Sequence, residues 1–155
     1  MTFTWTLSGH GWADCLVADD QTQAEATASY ITLAPNDLLE AVTRIVAMPG
    51  ETRAQFEAEP TIFRWIFFRE GDHVWIQMLQ MPDRQRHDKA GIQLWSSWQT
   101  VDTLARAIIR GFDTVASERG ESRYQDKWGH PFPRTELEKL RAVWRQYQSG
   151  GSSEG

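Results

Sequence analysis

The chain has 155 residues, 41% hydrophobic and 24% charged, with one cysteine and a formal net charge of −5. That size and composition fit one domain whose core needs neither disulfides nor a structural metal, and no run approaches the roughly 20 apolar residues of a membrane span. The opening MTFTWTLSGHGWADC lacks the basic flank and apolar run of a signal peptide, so a cytoplasmic location is expected.

Residues 2–8 alternate Thr2, Thr4, Thr6 and Ser8 with Phe3, Trp5 and Leu7, the period of a half-buried strand. Gly9-His10-Gly11 turns the chain. Residues 12–18 return with Ala13, Cys15 and Val17 on one face, and Asp19-Asp20-Gln21 turns it again. Residues 24–33, with Thr27, Tyr30, Ile31 and Thr32, complete an expected antiparallel meander. Pro35 and Asp37 stand where a helix N-terminus favours them, and Leu38, Leu39, Val42, Ile45 and Val46 recur at helical spacing until Pro49-Gly50. Residues 51–58 read as a short helical turn or an irregular loop.

Residues 61–69 and 73–81 flank Glu70-Gly71-Asp72 and predict a hairpin. Phe63, Trp65 and Phe67 share one face of its first strand and Ile66 and Phe68 the other. Such a strand is either covered on both sides or presents an apolar face to a partner. A charged loop over 83–90 leads to a last strand over 91–99. Thr100 then caps a helix with Val101, Leu104, Ala105, Ile108, Phe112 and Val115 on its buried stripe. Gly111 costs that helix ~1 kcal/mol relative to alanine, which suggests close packing. Residues 121–133 read as a loop that staples the terminal helix through Trp128 and Phe132, with a rigid recognition edge exposing His130 as the alternative. Thr135 and Glu138 have capping-box spacing, followed by Leu137, Leu140, Val143, Trp144 and Tyr147 on one side of that helix. The expected fold is a single α+β domain over 1–148, with a six-stranded, mainly antiparallel sheet (β-β-β-α-β-β-β-α-α) and helices packed on one face. Residues 149–155 form an expected disordered polar tail.

The sequence offers little chemistry. GxSxG, Walker, HExxH and CxxC patterns are absent. Gly9-His10-Gly11 has no helix behind it to cradle a phosphate. His10, His73, His87 and His130 lie in four separate segments without metal-ligand spacing. Cys15 falls mid-strand among apolar neighbours, where burial raises a thiol pKa. Glu57 and Glu59 could share one side of an extended chain and serve in acid–base work, though a solvated edge or pairing with Arg64 and Arg69 is the plainer account. Arg84, Arg86, His87 and Lys89 form a basic cluster interrupted by Asp83 and Asp88. No catalytic residue, metal or cofactor is expected.

Charge and aromatic content point to recognition instead. Residues 1–59 hold nine acids against Arg44 and Arg53, whereas the remainder holds twelve acids and fourteen bases. An acidic flank repels phosphate backbones, so nucleic acid is not an expected ligand, and it draws basic partners. Carboxylates that only keep the chain soluble are the simpler alternative. Eight tryptophans exceed ordinary need, and exposed rings concentrate at the centres of interfaces, although some must serve as core.

Glu59-Pro60, the Phe63–Met81 hairpin, and the spacing of Tyr124, Trp128, Pro131-Phe132-Pro133 and Leu137 resemble a group of small bacterial α+β proteins of uncharacterised function. More loosely, the chain is similar to immunity proteins of bacterial polymorphic toxin systems, which are small, acidic and cytoplasmic. That resemblance implies a non-enzymatic domain that binds a basic toxin. Asp19, Asp20, Glu57 and Glu59 would then steer encounter, with Trp12 and Trp65 as its dry centre. The alternative is a small-ligand binder or enzyme with a pocket between the sheet and the C-terminal helices, lined by Arg64, Arg69, Trp75, Trp95 and His130. A homodimer through an exposed sheet face is a third reading.

Overall fold

The computed structural model describes residues 1–84 and 86–153, with side chains through residue 150. Strands β1 (Thr2–Gly9), β2 (Trp12–Ala18) and β3 (Gln23–Ser29) form an antiparallel meander in the order β1-β2-β3. Helix α1 (Ala34–Ala47) follows. Strands β4 (Gly50–Glu57), β5 (Ile62–Glu70), β6 (His73–Met81) and β7 (Ile92–Thr100) form a second antiparallel meander in chain order, with a 3₁₀ turn at Asp88–Ala90 before β7. Helices α2 (Val101–Arg119), α3 (Glu121–Trp128) and α4 (Arg134–Ser153) complete the chain.

The α+β class holds, but the six-stranded sheet is replaced by two sheets of three and four strands. The seventh strand is β4, in the segment expected to be a turn or loop. Its sequence GETRAQFE sends Thr52, Ala54 and Phe56 inward and Glu51, Arg53 and Gln55 outward, but only two of these inward residues are apolar. Full antiparallel register with β5, from Gly50↔Arg69 to Glu57↔Ile62, supplies what that sparse pattern could not signal. β3 lies against β4 and β7 without pairing to either, which keeps the sheets separate.

Two smaller expectations also change. Residues 121–128 are the helix α3, begun after Gly120 at φ 82° and ended at Gly129 in the left-handed region. α4 starts at Arg134, so Thr135 lies inside its first turn, and Glu138 bonds Arg134 and Arg141. That helix continues through 149–153, within the expected polar tail, and residues 154 and 155 lie outside the described residues. Among the described residues, no helix is long and apolar enough to cross a membrane.

All four helices contribute to one core shared with the inner faces of both sheets. Phe3, Trp5 and Leu7 of β1, Trp65 and Phe67 of β5, and Val74, Ile76 and Met78 of β6 are buried there with Leu38, Ile45, Ile108, Phe112, Trp128 and Leu140. Thr100 accepts the expected capping bond from the Thr103 N–H at 3.0 Å. Arg69 closes the end of α1, donating to the carbonyls of Ile45 and Val46 at 3.1 and 2.8 Å. Trp128 and Phe132 are buried wedges, as the staple requires.

Gly111 brings α2 onto β1. A Cβ there would come within 2.4 Å of the Phe3 ring and 2.8 Å of the Phe3 carbonyl oxygen. Gly111→Ala should therefore destabilise the domain by about 1–3 kcal/mol through overpacking, against the ~1 kcal/mol that alanine gains in an unobstructed helix. Urea unfolding checks this. Ser117→Ala, on the exposed side of the same helix, should change the midpoint little.

Candidate protein interface

The outer face of the β1-β2-β3 sheet is built by the same alternation that fills the core. With Phe3, Trp5, Leu7, Ala13, Cys15, Val17, Ala26 and Ala28 turned inward, the residues between them must face out. Register sets them in rows: Thr2–Ala18–Gln23, Thr4–Leu16–Glu25 and Thr6–Asp14–Thr27. Trp12 closes one end, paired with Gly9 and Ser29, and the turn of Asp19 and Asp20 closes the other.

This surface is electrostatically one-sided. Asp14, Asp19, Asp20 and Glu25 belong to it, and the first 43 residues contain no lysine or arginine. Asp14 accepts from the Thr27 hydroxyl at 3.2 Å, a bond that leaves its charge unneutralised. Asp19 accepts from the backbone N–H groups of Thr22 and Gln21 at 2.8 and 2.9 Å and from the Ser97 hydroxyl at 2.7 Å. The Thr22 and Gln21 amides, then the Ser97 hydroxyl, hold its pKa down at about 2. The carboxylate is thus ionised at any physiological pH and ties this sheet to β7. Trp95 reinforces the tie, its indole N–H donating to the Thr22 carbonyl at 3.3 Å.

Apolar anchors stand beside these charges. Trp12 is 40% exposed, Leu16 37% and Tyr30 53%. The end of the sheet that Trp12 closes, where Tyr30 follows β3, is held on several sides. The Tyr30 N–H donates to the Gly11 carbonyl at 2.9 Å, the Gly11 N–H donates to the Lys127 carbonyl at 2.8 Å, and a ring nitrogen of His130 lies 2.7 Å from the Tyr30 carbonyl. Gly11, at φ 74°, has the Tyr30 ring across it where a Cβ would sit 2.5 Å away. Such anchoring limits the ordering cost of binding. A groove of about 530 Å³ runs along the β1 margin, between Thr2–Thr6 and α2, where Arg106 and Arg110 stand between Asp102 and Glu118, so its charge is mixed.

The structure divides the residues expected to bind a protein. Trp12, Asp19 and Asp20 share the three-stranded sheet. Trp65 is fully buried in central strand β5, stacked on Phe67 at 5.8 Å between ring centroids, and offers no surface. Glu57 is buried beside Arg84, whose Nε is 2.6 Å from its carboxylate, and Glu59 is exposed in the β4–β5 turn. Leu16 and Glu25 are not in the expected binding set, because only the cross-strand register sets them across from each other on this face.

The residues of the alternative pocket are spread apart. Arg64, on the outer face of the second sheet, is engaged by Gln55, Asp88 and the carbonyls of Arg84 and Arg86. Trp75 packs on Trp98 on that same face, whereas Arg69 caps α1, Trp95 is buried against the Asp19–Thr22 turn, and His130 meets Tyr30. These five side chains do not converge on one cavity.

No protein-family model and no curated protein matches the chain. Among solved structures, it is similar to a chain of the CdiA-CT/CdiI toxin and immunity complex from Enterobacter cloacae, with a TM-score of 0.49 and 11% sequence identity. That likeness covers 72% of this chain and 99% of the other.

Asp19 makes a pH prediction. Its folded-state pKa of about 2 lies below the ordinary 3.8, so the stability it contributes is complete above the ordinary value and is lost as pH falls towards about 2. Asp19→Ala should be less stable than the parent at neutral pH, with the difference narrowing in urea titrations repeated near pH 3. A difference independent of pH would assign the effect to turn shape alone.

Proposed function

We propose that this chain is a non-enzymatic protein-binding domain of the immunity type, acting in the cytoplasm by docking a basic protein on the outer face of its three-stranded sheet. One observation carries the reading: four carboxylates without an interspersed cation share a braced sheet with the exposed side chains of Trp12 and Leu16. Long-range attraction from Asp14, Asp19, Asp20 and Glu25 raises the encounter rate with a cationic surface. Trp12 then supplies apolar area at small cost in rotamer freedom, as anchors at interface centres do, and Leu16 adds a second apolar point on the same face. The basic toxin of an immunity pair is a partner of this chemistry.

The test captures proteins from host lysate on the immobilised chain and identifies them by mass spectrometry, in parallel with an Asp20→Lys, Glu25→Lys double variant and with Trp12→Ala. The parent should retain a basic protein that elutes as salt rises. The charge reversal should weaken capture at least about tenfold, mainly through slower association, and Trp12→Ala should cost about 2 kcal/mol if that ring is an anchor. Retention of only acidic proteins, or equal capture by the charge-reversed chain, would overturn the proposal.

A further inference from the structure

The outer face of the four-stranded sheet has a different chemistry. Register places Glu51 of β4, Phe68 of β5, Trp75 of β6 and Trp98 of β7 in one row across the whole sheet. Phe68 is 41% exposed, Trp98 is 51% exposed and Trp75 is half-buried, with the two indole rings 5.3 Å apart between centroids. The next row is Arg53–Ile66–Gln77–Ser96.

Half of this face is covered by the chain itself. Arg64 donates to the carbonyls of Arg84 and Arg86, each at 3.0 Å, and to Asp88 at 2.9 Å, which holds the β6–β7 connection across the sheet. Ile62, Ile66, Leu79 and Met81 form a small buried cluster there, separate from the main core. The row of Phe68, Trp75 and Trp98 lies beyond that cover. α1 packs towards β4 and β5 and α2 towards β6 and β7 from the core side.

We infer that this aromatic row is the interface of a homodimer, occupied by the same row of a second copy. Arg53 pairs with Glu51 and Asp88 and Arg64 with Asp88 on one side of it, and Glu70 stands across from His73 on the other, so no block of one sign borders the row to select a partner by charge. A neutral apolar row is complementary to itself, as a two-fold interface requires. An axis near Trp75 and parallel to the strands sets Phe68 of one copy against Trp98 of the other and buries the three rings from both sides. The open area is about 19 Å across four strands and about 14 Å along two rows. This is smaller than the roughly 800 Å² per partner of a standard interface, so the dimer is weak and reversible. It uses the sheet face remote from Asp20 and Glu25 and does not depend on the proposed basic partner.

Sedimentation velocity from about 5 to 500 µM should show the sedimentation coefficient rising from monomer towards dimer. Trp98→Arg and Phe68→Glu, at exposed positions whose folding circular dichroism confirms, should each weaken dimerisation at least tenfold, whereas Asp20→Lys should not. Geometry is tested by mixing Phe68→Cys chains with Trp98→Cys chains under mild oxidation, where mixed disulfide dimers should exceed either like pair. A monomer at every concentration would overturn the inference. So would self-association unchanged by both ring substitutions, or cross-linking that favours like pairs.

Discussion

Trp5 meets Phe56 of β4, Phe112 of α2 and Trp128 of α3 at 5.7, 5.8 and 5.6 Å between ring centroids, two of the three contacts edge-on. Phe56 passes the chain of rings to Trp65, and Trp65 stacks on Phe67 with only 6° between planes. This seam links the inner face of one sheet to that of the other and reaches two of the helices. Edge-on aromatic pairs contribute beyond their buried area because the positive ring edge meets the negative face. They also fix orientation, since a ring placed edge-on to one neighbour and tilted on another has few alternative rotamers. The two sheets meet through this junction, and α2 and α3 are packed on it.

Committing both apolar faces to one core leaves two outer faces, and their chemistries diverge for reasons traceable to strand composition. The first three strands alternate inward apolar residues with threonine, aspartate and glutamate, and no arginine reaches them from their own segment. In the second sheet, arginine stands on the outer face at Arg53 and Arg64, beside glutamate in β4 and aspartate in the β6–β7 connection, so those arginines are satisfied internally. What remains outward there is the apolar half of a doubly apolar hairpin. One surface therefore acts through field and the other through area.

Much of this organisation was legible in the sequence. The alternation of β1, the apolar period of α1 and α2, the Thr100 cap and the hairpin about Gly71 each depend on local pattern, and local pattern sufficed. The doubly apolar reading of β5 left open a strand covered on both sides or one with an apolar face exposed, and its outer face divides between the two, with Ile66 covered and Phe68 exposed. Trp65, chosen as a surface ring, is instead the most enclosed tryptophan, because strand alternation assigns residues to faces without saying which face the helices cover. β4 escaped detection because its stability comes from long-range pairing to β5 and from the Thr52 hydroxyl donating to the Ala41 carbonyl of α1 at 2.9 Å. Glu57 was legible as a carboxylate but not as a buried one, since its partner Arg84 lies 27 residues away.

Cys15 records the field of the acidic sheet from its inner side. Burial pushes the thiol pKa well up, and the carboxylates of Glu25 and Asp14 push it in the same direction. The thiol projects into the core while those carboxylates project outward, so their influence acts through the thickness of the sheet. A thiolate would be stabilised by any cation near enough to cancel that influence, and the groups acting on Cys15 are all of the opposite kind. The carboxylate potential therefore survives within the protein as well as in solvent. On the outer side Glu25 stands directly across from Leu16, so a cationic partner drawn by the charge meets apolar surface there.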